Sequence, residues 1–133
     1  MALPAFIDFT LARFLLVGVA NTAVGLTLIF AAKALLSLDD VAANALGYAV
    51  GLCVSFTLNK QWTFGFRGQA LAALLRFLLV FGVAYAANLL TVLVLIRHAN
   101  LGTYLAQAIG IVPYTALFYA GSRWYAFSSP RSA

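Results

Sequence analysis

Four cations at matched positions, Arg13, Lys60, Arg76 and Arg123, are the residues of this chain best suited to chemistry, and that chemistry is the capture of an anion. Lys60 and Arg123 stand in two related segments, Asn59-Lys60-Gln61-Trp62-Thr63-Phe64 and Ser122-Arg123-Trp124-Tyr125-Ala126-Phe127. Cations beside Trp62, Trp124 and Tyr125 suit a phosphate or pyrophosphate at lipid-headgroup depth, where such aromatics anchor. Asn59 adds an amide able to orient a headgroup or a sugar. Basic residues with interfacial aromatics also describe an ordinary membrane anchor, but that reading leaves their recurrence in register unexplained. A second polar set, Asn21, Asn44, Asn88 and Gln107, lies inside apolar runs. There an amide either bonds another helix, worth about 0.6 kcal/mol, or lines a path for a polar solute.

Catalytic resources are scarce. The only carboxylates are Asp8, Asp39 and Asp40, and no paired acid and base, glycine-rich phosphate loop or Cys/His cluster is present in the sequence. We therefore expect no enzymatic activity, no cofactor and no metal. The single Cys53 excludes an internal disulfide and is expected to be a small buried apolar residue. His98 is expected in a solvated loop. Asp39, Asp40 and Asn100 are expected to cap the helices that follow them.

The elements that must position these groups follow from composition. Of 133 residues 65% are hydrophobic and 8% charged, more apolar surface than a soluble domain of this size can cover. Four apolar runs, 14–36, 41–58, 77–96 and 101–122, approach or reach the ~20 helical residues needed to cross a hydrocarbon core. None contains Asp or Glu, and Lys33, the one charge within a boundary, lies near enough to an end to snorkel outward. The expectation is an all-α membrane protein of four transmembrane helices. The first run does not read as a cleaved signal peptide, since no basic residue precedes Arg13. Arg13, Lys60, Arg67, Arg76, Arg123 and Arg131 fall on one side of such a topology, against Lys33 and Arg97 on the other. That imbalance predicts a multi-pass protein of the cytoplasmic membrane with both termini in the cytoplasm.

The chain also repeats itself. Arg13-Phe14-Leu15-Leu16-Val17 returns as Arg76-Phe77-Leu78-Leu79-Val80, an offset of 63 residues. The same offset lays Asn44 on Gln107 and carries the first aromatic segment onto the second. A single domain built as two tandem hairpins is expected, one copy over about 13–66 and the other over about 76–129. With two spans in each copy, both insert the same way up. In this frame Asn88 matches Gly25, one turn deeper than Asn21. Gly18, Asn21 and Gly25 share one helix face, Gly47, Gly51 and Ser55 form a small-residue row, and Pro113, mid-way along the fourth helix, removes a backbone hydrogen bond and is expected to bend it.

An Arg-Phe-Leu-Leu-Val-Gly opening (Arg13 to Gly18) with Asn21 three residues on, then Asn59, Lys60, Trp62 and Phe64 after the second run, resembles the GtrA-like family. The second ending departs from that pattern, with Ser122 in place of the Asn and Tyr125 at the Trp position. The resemblance covers nearly the whole chain. It implies a flippase, or a component of one, for polyprenyl-phosphate-linked (undecaprenyl-type) monosaccharides used in surface polysaccharide synthesis. A glycosyltransferase is the implied partner, a homo-oligomer is a further expectation, and nucleic acid is not expected. The alternative is a non-transporting anchor for that glycosyltransferase. A small drug/proton antiporter fits less well, because that chemistry needs a carboxylate within the membrane.

Overall fold

The computed structural model describes residues 9–128; Asp8 and Arg131 lie outside them. The described residues form α1 (Phe9–Leu36), α2 (Asp40–Leu58), α3 (Ala70–His98) and α4 (Thr103–Gly121). Two π-helical turns follow directly on α2 and α4, π1 (Asn59–Thr63) and π2 (Ser122–Ala126). There are no strands among the described residues. The chain divides into two compact units, Met1–Gly65 and Phe66–Ala133, and the described part of each is a helical hairpin.

Three helices, Phe9–Leu36, Asp40–Thr63 and Ala70–His98, are long and apolar enough to cross a membrane, and only 11%, 22% and 17% of their most apolar windows is buried. Apolar helices left so uncovered have lipid as their natural solvent, since a helix satisfies its own backbone there. The expectation of four spans is met for three. The fourth helix, α4, has 19 residues, about 28 Å at 1.5 Å per residue, and its apolar character is diluted by Gln107, Pro113 and three tyrosines. α1 and α3 begin at Phe9 and Ala70, before the apolar runs, so Arg13 and Arg76 lie a turn or more inside their helices.

Both hairpin loops close in the same way. Ser37 and Asn100 take left-handed φ angles of 55° and 56°. The amides that follow reach back six residues, Leu38 N to Ala32 O at 3.3 Å and Leu101 N to Leu95 O at 3.1 Å. A left-handed residue just past the helix turns the chain back on itself, and the amide after it satisfies a carbonyl left over at the helix C-terminus. Asn100 therefore ends α3 instead of capping α4. The N-cap of α4 is Gly102, which offers no side-chain bond. Asp39 does cap α2, accepting from Ala42 N at 2.7 Å. Its neighbour Asp40 pairs with Lys33 across the loop, so Lys33 has a partner besides water. His98 is the last, exposed residue of α3 rather than part of the loop.

In the first unit α2 buries Ala43, Gly47, Gly51 and Ser55 against α1, and π1 extends the row with Asn59 and Thr63. The close approach is at Gly25 and Gly47, where a Cβ on Gly25 would lie 3.7 Å from Gly47 O. Gly18 takes no part: a Cβ there would meet open space. Cys53, expected to be buried, is exposed. It stands half a turn round α2 from Gly51 and Ser55, and so faces away from their contact with α1. The second unit has a more aromatic core, in which fully buried Phe77 packs on Phe118 and Phe127 at centroid distances of 5.1 and 5.7 Å. α4 continues as one helix through Pro113.

Candidate functional site

The geometry of the cation-bearing ends starts from the π turns. Phe64 N bonds Asn59 O and Phe127 N bonds Ser122 O, both at 2.9 Å, a pairing five residues apart. Wider winding at a helix C-terminus leaves carbonyls with no partner inside the helix. The opening helix of each unit supplies the missing donor. Arg13 donates Nη1 to Trp62 O at 3.3 Å, and its guanidinium lies 5.4 Å from the Trp62 ring centroid. Arg76 donates Nε and Nη2 to Ala126 O at 3.3 and 3.0 Å, with the Tyr125 ring 6.0 Å away. A cation at the negative end of a helix, stacked on an aromatic face, is favoured by dipole and quadrupole together.

Lys60 and Arg123 occupy the second position of their turns but differ in their surroundings. Arg123 donates to the Tyr119 hydroxyl and lies 5.9 Å from the Tyr119 ring and 5.3 Å from the Trp124 ring. Phe56 stands one turn before Lys60, with no hydroxyl to offer. Lys60 is half-buried and has no hydrogen-bond or ion-pair partner among the described residues. Trp62, Trp124 and Tyr125 are exposed around these cations.

Asn59 is 1% exposed and faces into its own hairpin, donating Nδ2 to Ser55 Oγ at 3.2 Å. Asn59 Oδ1, Thr63 Oγ1 and Ser122 Oγ are buried without a partner. Sequence reasoning gave Thr63 and the turn carbonyls no role, noted Ser122 only as a departure from the family pattern, and counted Tyr119 only among the polar groups of the fourth run. A signal was available: the buried positions 47, 51, 55, 59 and 63 recur every four residues, a slower beat than the 3.6 of an α-helix.

Two of the embedded amides pack against glycines of the partner helix. A Cβ on Gly51 would come within 2.5 Å of Asn21 Oδ1, and one on Gly110 within 2.8 Å of Asn88 Nδ2. The other two do not. Asn44 is exposed and donates to Asp40 O of its own helix at 2.7 Å, and Gln107 is exposed with no partner among the described residues. No group of His, Cys, Asp or Glu able to hold a metal occurs among the described residues.

Long apolar helices with paired arginine-bound turns define a multi-pass membrane protein. Residues 13–127 match the family described as GtrA/DPMS, transmembrane domain, and the chain belongs to that family. No curated protein matches it.

Proposed function

We propose that this protein is a flippase, or the membrane component of one, that moves a polyprenyl-phosphate-linked monosaccharide across the cytoplasmic membrane for cell-surface polysaccharide synthesis. The observation that carries this reading is the engagement of Arg13 and Arg76 with the closing turn of their own hairpins, in a chain of the GtrA/DPMS family. Each contact holds a cation beside an aromatic ring, and in this reading the pair lies at the depth of a lipid phosphate.

In this proposal all four helices cross the membrane, as two tandem repeats over about 13–66 and 76–129 inserted the same way up, with both termini cytoplasmic. Arg13 and Lys60 in one unit, and Arg76 and Arg123 in the other, receive the phosphate. Lys60 has its full donor capacity free for that purpose, whereas Arg123 is already engaged by Tyr119. Asn59, buried under the first turn, sets the position of Lys60 and Trp62. Asn21 and Asn88 offer amides to a passing sugar. The protein moves its substrate without chemical change and without a cofactor, and it works as a homo-oligomer, since four helices alone enclose little volume.

A second reading, a non-transporting anchor or partner subunit of a glycosyltransferase, is favoured by the family description, which couples GtrA with DPMS, a glycosyltransferase. Glycan modification in cells relying on this protein tests the proposal. Lys60→Gln combined with Arg13→Gln is expected to abolish modification at unchanged protein abundance. Full modification by the double variant would put the phosphate contacts elsewhere.

A further inference from the structure

We infer that the second unit carries a phosphate-binding pocket built around Arg76, beside π2. The inference rests on the reading that this chain handles phosphorylated lipid, and it assigns the phosphate a place in the fold. A half-enclosed pocket of about 400 Å³ is bordered by Phe66, Gln69, Ala72, Arg76, Tyr125 and Ser128. Small-molecule sites occupy about 300–1,000 Å³, so this one has room for a phosphate and a substituent.

The orientation of Arg76 decides what enters. A guanidinium has five N–H groups in a fixed plane. The Nε and Nη2 edge is spent on Ala126 O, at 3.3 and 3.0 Å. The other edge, Nη1 with the second Nη2 hydrogen, has no hydrogen-bond partner among the described residues. Because the carbonyl and the Tyr125 ring already fix the plane, that free fork is pre-organised for two parallel bonds to phosphate oxygens. The second unit contains no Asp or Glu, so no acidic side chain of that unit neutralises the charge. Gln69, at the N-cap of α3, makes no side-chain capping bond and keeps its amide for a further oxygen or a hydroxyl. The Phe66 and Tyr125 rings offer apolar faces to the attached group. The ligand class is therefore a phosphate ester, supplied either as a lipid headgroup or as a free sugar phosphate.

The full chain, purified in uncharged detergent, is titrated with dodecyl phosphate, with glucose 1-phosphate and with dodecanoate while its melting temperature is followed. Dodecyl phosphate is expected to raise the melting temperature. A matching response to glucose 1-phosphate assigns a soluble source, and its absence assigns a lipid headgroup; both support the pocket. Ala72→Trp, which fills the pocket while the arginine is kept, should remove the response. Arg76→Lys, which keeps the charge but loses the fork, should weaken the apparent affinity about tenfold. No response to either phosphate, an undiminished response in Ala72→Trp, or an equal response to dodecanoate would each overturn the assignment. Should Arg76→Lys fold poorly, Ala72→Trp decides alone. The pocket and the transport reading fail separately. Glycan export that survives Ala72→Trp removes the pocket alone, whereas phosphate binding that depends on Ala72 and Arg76 without translocation removes transport alone.

Discussion

Arg13 and Arg76 join the opening helix of each hairpin to its end, because the turn there leaves a carbonyl in need of a donor. Their matched positions were legible in the sequence, from the offset they share. Their partners were not, since a π turn is set by the packing of a whole helix and leaves only a row of small residues spaced by four. The buried hydroxyls give a test of that packing. Ser122 Oγ has no partner, so Ser122→Ala removes an unsatisfied group and leaves a methyl in an enclosed site. We expect unfolding free energy unchanged or raised by up to about 1 kcal/mol, measured by reversible unfolding in detergent. A loss above that size would mean that the hydroxyl is bonded in the folded protein. Asn59→Leu should behave in the opposite way. It removes the bond to Ser55 and forces a branched side chain into a space 1% exposed, at a cost of about 1–3 kcal/mol.

At the scale of elements, each hairpin depends on a glycine facing an amide. Gly51→Ala would push a methyl against Asn21, and Gly110→Ala one against Asn88 and Val92. Each should cost up to about 1 kcal/mol, because the amide ends can turn aside, whereas Gly18→Ala, with open space around it, should be neutral or slightly stabilising. Thermal unfolding of the three variants checks the ranking, and equal costs would contradict the assigned helix contacts. The loops add a second comparison. Ser37 and Asn100 both adopt φ near +55°, a conformation that asparagine tolerates better than serine. Ser37→Gly should therefore stabilise the first hairpin by about 0.5–2 kcal/mol. The hairpins themselves were legible in the apolar runs, and so was the Asp39 cap. Helix starts were read too late, because Arg13 and Arg76 look like boundary charges. In the structure the helices carry them inward to reach the turns. Asn100 was misread because an asparagine beside a helix start can equally finish the helix before it.

For the whole molecule, composition alone made a membrane protein legible, and the family match over residues 13–127 agrees with the residues that carried the resemblance. Sidedness rests on the distribution of basic residues. In a chain with Cys53 replaced, we expect cysteines introduced at positions 67 and 131 to resist an impermeant reagent in intact cells, and one at position 39 to react. The reverse pattern would invert the topology and turn the cation-bearing turns outward. The central claim, movement of a phosphorylated lipid-linked sugar past those turns, is tested most directly by translocation of a polyprenyl-phosphate monosaccharide in liposomes holding only the purified protein. We expect transfer between leaflets to depend on the protein, to fall at least tenfold in Arg13→Gln with Lys60→Gln, and to slow in Asn88→Leu more than stability declines. Transfer no faster than in empty liposomes, from protein shown to be folded, would contradict the claim and leave the anchoring role.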